Sequence, residues 1–169
     1  MNPNNAEINS ITKESIAKAS AELLLQSKEM TVTAICRKAG VSRNAFYRNF
    51  ESINDALIDY MIFEWAEYAK EHRVSEGPQE EVGKHLARYF YAQKEFVRAL
   101  KGHHLIYLIE QLFVKVVVQE DASGALYYAR YGTAYFIYGL IRAMIDNDFR
   151  DSPEEIEAMF RQEDAKPVA

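Results

Sequence analysis

The stretch TVTAICRKAGVSRNAFYRNF, Thr31 to Phe50, constrains the local chain path more tightly than any other segment. Thr31 or Thr33 is placed to cap a short helix, and Gly40 is placed to end it, because glycine enters the left-handed conformation of a helix stop without a Cβ penalty. Ser42 then caps a second short helix, with Val41 set to staple onto Phe46. Two helices joined by so short a turn must cross closely, which needs a small residue four positions before the glycine. Cys36 stands there. Ile35, Ala39, Val41, Phe46 and Phe50 supply an apolar interior, leaving Thr31, Thr33, Arg37, Ser42, Arg43, Asn44, Tyr47 and Arg48 to face outward. This is the pattern of a helix-turn-helix.

The remaining chain reads as helical throughout, so the expected fold class is all-α. Thr12 to Ser27 carries Ile16, Ala19, Leu23 and Leu24 on one face, with Thr12 as its expected cap and Ile11 stapled to Ile16. A longer helix is expected from Ser52, paired with Asp55, to about Arg73, with the stripe Leu57, Met61, Trp65, Tyr68 and His72, ending at Glu76-Gly77-Pro78. Val82, Leu86, Tyr89, Phe90, Gln93, Phe96, Val97 and Leu100 mark the next face, and Leu105, Leu108, Leu112, Phe113 and Val116 another. Helical flanks argue against a strand at VKVVV. Two last helices are expected over about Ala122 to Asn147 and Pro153 to Arg161, the latter capped by Ser152, and the two ends read as frayed tails.

Charge divides the chain unevenly. Residues 1–50 hold seven lysines and arginines against four glutamates, net +3, in a chain whose total is −5. A small basic module on an acidic body suits contact with a polyanion at one end. The single cysteine excludes an intrachain disulfide, and with no basic-apolar leader the expected compartment is the cytoplasm. LYYARYGTAYFIYGLIRAMI carries Arg130 and Arg142, which argues for buried or partner-facing helix and against a membrane span. As a lone thiol without a resolving partner, Cys36 reads as a packing residue rather than a redox sensor. No glycine loop, metal-ligand spacing or paired nucleophile and base marks an enzyme, and no cofactor is expected.

With its flanking helices, TAICRKAGVSRNAFYRNF resembles the DNA-binding domain of TetR-family bacterial transcriptional regulators. YFIYGLIRAMIDNDFRDSPEEIEAMF is similar to the helices by which such proteins dimerise. The resemblance implies a helix-turn-helix domain over 1–51 and a ligand-binding and dimerisation domain over 52–169. It also implies a break near Gln93 giving about nine helices, and a homodimer on a palindromic double-stranded operator. Arg43, Asn44 and Arg48 are then expected to read base edges, and Tyr47, Thr31, Thr33 and Ser42 to bind phosphates. The chain departs from the family at Ile53, where members usually carry a phosphate-contacting lysine, and it has Glu51 just before. The N-terminal amides of that helix remain a candidate anion site.

A second site is expected in the body. Tyr128, Tyr131, Tyr135 and Tyr138 recur at helical intervals beside the line Gly132, Phe136, Gly139 and Ala143, whose small residues suit a closely packed helix. Trp65, Tyr68, Tyr89, Phe90, Tyr107, Tyr131 and Tyr135, with His72 and His103 as hydrogen-bonding groups, are the expected lining of a pocket for a small apolar or aromatic effector that releases DNA. The competing class is a helical dimeric scaffold protein that has lost DNA binding.

Overall fold

The computed structural model describes residues 3–74, 79–118 and 123–163, which are all-helical, with nine helices among them. In chain order these are α1 (Pro3–Leu25), α2 (Val32–Ala39), α3 (Arg43–Asn49), α4 (Ile53–Glu71), α5 (Gln79–Ala92), α6 (Lys94–Gly102), α7 (Tyr107–Val117), α8 (Gly124–Asp146) and α9 (Pro153–Glu163). The break at Gln93 is present, and VKVVV stays helical through Val117. The expected stop at Glu76 to Pro78, the start at Ala122, the side chains of Val82 and Arg161 and the tail after Glu163 lie outside the described residues.

Local signals set most boundaries. Thr31 Oγ1 accepts the Ala34 amide at 3.2 Å, and Ser42 Oγ accepts that of Ala45 at 3.1 Å. Ser52 and Asp55 form a reciprocal capping box, and Ser152 and Glu155 a second. Gly40 sits at φ 69° and ψ 29°. A Cβ there would meet no atom within 4 Å, so Gly40→Ala should cost only the left-handed backbone penalty, about 1–2 kcal/mol. Urea unfolding of the two proteins measures this, and a difference near zero would refute it.

The first helix corrects the sequence expectation. It begins at Pro3 rather than Thr12, and Thr12 Oγ1 donates back to the Ile8 carbonyl at 2.8 Å, as a hydroxyl inside a helix does. Thr12 is therefore no cap, and Ile11 is exposed rather than stapled on Ile16. The N-terminal stretch expected to fray is helical from Pro3 onward. Val116, expected on a buried stripe, is also exposed.

Two apolar clusters hold the helices. One gathers Ile16, Ala17, Ala19 and Leu23 of α1, Ile35 and Cys36 of α2, Phe46 of α3, Phe50 just past its end, and Ala56 of α4. The other gathers Leu57, Ile58 and Met61 with residues of α5 to α8, and also takes Ala21 and Leu24 from α1. Full burial of each large side chain contributes roughly 1.5–3 kcal/mol. The clusters do not divide at residue 51: α1 and α4 pack against each other and feed both, and Ile53 packs against both. That contact gives Ile53 a packing role at the place where a lysine was expected.

Candidate nucleic-acid interface and the body cleft

The turn between α2 and α3 is built on buried residues that aim the polar ones outward. Cys36 lies at the crossing, its thiol donating to the Ser42 carbonyl at 3.7 Å. Burial pushes that thiol above its ordinary pKa, with nearby Arg43 opposing, so little thiolate forms near neutral pH. Phe46 is fully buried and its ring meets that of Tyr47 edge-on at 5.4 Å, holding Tyr47 upright while it stays exposed. Thr33, Arg37, Ser42, Arg43, Asn44 and Arg48 are exposed with it, and Thr31 is half-buried at its cap. Ser42 and Thr31 already use their oxygens in capping. Their hydroxyl hydrogens remain to donate to an anion.

Several body arginines are paired, although Arg73 and Arg150 have no ion pair among the described residues, and on α2 Lys38 pairs with Glu22. Arg88 lies 3.1 Å from Glu157, Arg98 is 2.7 Å from Glu95 and 3.1 Å from Asp148, and Arg142 is 2.9 Å from Asp146. Arg37, Arg43 and Arg48 make no side-chain hydrogen bond or ion pair with any described residue. The start of α4 is different again. The Asp55 carboxylate accepts from both the amide and the hydroxyl of Ser52, at 2.9 and 2.8 Å, so this helix start already holds an anion of its own chain. That answers the expectation of a phosphate on the α4 amides: like charge from Asp55 and the neighbouring Glu51 opposes it.

Of the nine residues expected to line one effector pocket, Trp65, Tyr68, His72, Tyr89 and Phe90 are brought together in one aromatic cluster, while His103, Tyr107, Tyr131 and Tyr135 lie apart from it. Trp65 stacks on Tyr68 at 5.6 Å and meets Tyr89 edge-on at 5.4 Å, while Tyr68 stacks on His72 at 4.0 Å. The hydroxyl of Tyr68 is 3.2 Å from Nδ1 of His85. Tyr89 and Phe90 are core residues, and the Tyr89 hydroxyl donates to the Met61 carbonyl at 3.2 Å. Burial raises the pKa of that phenol. Tyr107 is exposed and accepts from Asn54 Nδ2 at 3.0 Å, His103 is exposed, and Tyr135 is exposed and donates to Glu110 at 2.6 Å. Tyr131 stacks along α8 on Tyr135. The α4 and α5 residues face each other, while Tyr107 of α7 and Tyr131 and Tyr135 of α8 turn toward other neighbours.

The large cavity lies elsewhere, between α5, α8 and α9, with a volume of about 550 Å³. Its apolar wall is formed by Leu86 and Ala87 of α5, Ile137, Ile141 and Met144 of α8, and Ile156 of α9. None of the nine expected residues lines it. The signal was present in the sequence as a second line on α8, Ile137, Ile141 and Met144, repeating at four and three residues beside the glycine-bearing face.

A third feature joins the two regions. Asp59 of α4 is 5% exposed and is bridged by Lys13 of α1 and by Lys115 of α7, the latter at 2.8 Å. Burial drives its pKa upward, but hydrogen bonds from Lys115 and Lys13 and their charges outweigh that and hold the carboxyl below its ordinary range. A polar cleft of about 200 Å³ lies beside it, lined by these three residues with Asn49, Phe50, Glu51 and Asp55. Among the described residues no helix is long and apolar enough to cross a membrane, and no three side chains are grouped to hold a metal. No family model, curated protein or solved structure matches the chain.

Proposed function

We propose that the protein is a sequence-specific, double-stranded-DNA-binding regulator of the TetR type, acting as a homodimer whose operator affinity falls when a small molecule occupies its body. The observation that carries the reading is the α2–α3 face, on which Arg37, Arg43 and Arg48 are all exposed and make no ion pair with any described residue. Unpaired guanidinium groups on an exposed short helix are available to guanine edges and phosphates. The α2–α3 crossing held by Cys36, Phe46 and Gly40, and the nine-helix order with its break at Gln93, support the same reading.

The dimer is proposed on α8. Phe136 is 70% exposed, and a Cβ added at Gly132 or Gly139 would meet nothing within 4 Å, so among the described residues nothing packs on this face at those positions. For release, α4 is the natural connector, since Ile53 touches both apolar clusters and Asp59 ties α1 to α7. A tenfold loss of operator affinity requires a ligand to discriminate between two tilts of α4 by only about 1.4 kcal/mol. One observation favours the scaffold reading: the acidic, self-capped start of α4 removes a phosphate contact.

Selection from a random duplex pool decides between them. The expected result is a palindrome whose half-sites lie about 34 Å, or a multiple of it, apart. Arg43→Ala should relax preference at one position per half-site by about 1–3 kcal/mol, and Tyr47→Phe should weaken all sites alike. A pool that enriches no motif at moderate salt overturns the DNA reading.

A further inference from the structure

We propose that the cavity between α5, α8 and α9 is a binding site for a lipophilic molecule without negative charge, and that its mouth is closed by the α8 face of a second copy. The proposal rests on the homodimer reading above and extends it to the ligand's chemistry and to its linkage with assembly. The volume of about 550 Å³ falls within the range of small-molecule sites, and the wall is mainly aliphatic and methionine side chains, the largely buried carboxylate of Glu157 being held by Arg88.

The polar residues at the rim are already engaged. Asn147 Nδ2 donates to Asp151 at 2.6 Å, and Glu157 is paired with Arg88 at 3.1 Å. Lys84, the cation on this rim, also has its own interactions. An anionic ligand would lose hydration on entry and meet the carboxylates of Asp151 and Glu157, whereas a neutral one loses only water from apolar surface. The rim therefore selects against anions.

The same residues define mouth and interface. Phe136, Leu140 and Ala143 line the cavity, and all three are exposed. With Gly132 and Gly139 they make one continuous side of α8, at the three- and four-residue spacing of a helix face. A helix packed on that side for dimerisation covers the cavity opening at the same time. Ligand burial and subunit association then share surface, so each strengthens the other by the same factor.

Gly83 gives a clean way to fill the site. It lines the cavity from α5, and a Cβ there would meet no atom within 4 Å, so larger side chains enter without a backbone clash. The experiment titrates the full chain with decanol and decanoate by calorimetry, and measures the dimer dissociation constant by sedimentation with and without decanol. Decanol should bind one per protomer at least tenfold more tightly than decanoate, and affinity should rise about fourfold per methylene from octanol until the cavity is full. Saturating decanol should lower the dimer dissociation constant at least tenfold. Gly83→Trp should abolish both effects, and Gly83→Ala should retain both, controlling for the change in helix propensity. A dimer that binds no alkanol, or alkanol binding unchanged by Gly83→Trp, overturns the site. A chain that binds decanol yet stays monomeric, or whose dimerisation ignores it, overturns the seal and with it the proposal. A second copy filling the cleft with its own side chain would appear as a dimer without alkanol binding. Duplex selection does not enter this measurement, so a failure of the DNA reading stays separate.

Discussion

Phe46→Ala should remove about 3–5 kcal/mol of stability and release the α2–α3 unit before the rest of the molecule. Phe46 has no exposed surface, and its ring is bounded by Tyr47 at 5.4 Å and by Phe50 at 5.9 Å. Truncation leaves a cavity under a helix of seven residues, too short to persist without tertiary packing. Ile16, Ile35 and Cys36 would face that void, and the connection to α4 through Phe50 would loosen. The larger cluster, centred on Leu57, Leu100, Leu108 and Ile109, contains neither Phe46 nor Ile35. Amide exchange should therefore quicken first across Thr31 to Phe50, with α7 and the buried side of α8 following only at global unfolding. Uniform acceleration throughout the chain would show that α2–α3 folds with the body as one unit.

Alterations on the same helix that spare its core should behave differently. Arg43 is exposed and carries no ion pair, so its truncation should leave packing alone and, on the proposed DNA-binding reading, change recognition. This contrast between two residues three apart separates fold from function on one short helix.

Sequence reasoning succeeded where the determining interactions are local. Thr31, Ser42, Ser52 with Asp55, and Ser152 each cap a helix within three residues of themselves, and Gly40 ends one by its own backbone freedom. Such contacts leave a spacing that the chain displays directly. The outward set on α3 was legible for the same reason, since Ala45, Phe46 and Phe50 fix which side is inside. The start of α1 was not legible: no apolar period runs through its first residues, and Thr12 fits a cap as well as it fits a helix interior. The tyrosines separated for a different reason. Periodicity assigns a residue to a face, but which helix meets that face is a long-range fact. Tyr89 turned into the core, Tyr135 outward to Glu110, and the cavity formed between α5, α8 and α9. Its wall includes residues read on other grounds, such as Leu86, and Ile156, on which no expectation was placed.

The second large effect is expected at Asp59, a carboxylate that reaches both regions of the molecule. Asp59→Asn keeps the shape but removes the charge from two bonds that join α4 to Lys13 of α1 and Lys115 of α7. Both lysines are partly exposed and can turn to water, so the loss is smaller than for a fully buried pair, about 2–3 kcal/mol at neutral pH. The pH dependence distinguishes this from a simple packing defect. Because the folded carboxyl is held below its ordinary value of 3.8, its stabilisation is complete above that value and is lost as pH falls through the depressed one. The difference between wild type and Asp59→Asn should therefore be constant through neutral pH and shrink progressively below about pH 4. Lys115→Met should reproduce part of the loss while leaving the bond to Lys13 in place. Urea unfolding of the three proteins across this range measures all of these quantities, and a difference that persists undiminished in acid would assign the effect to packing. If α4 transmits ligand occupancy to the recognition helix, Asp59→Asn should also weaken the coupling between ligand and operator, because the α4 turn that carries Asp59 is then less firmly fixed to either neighbour.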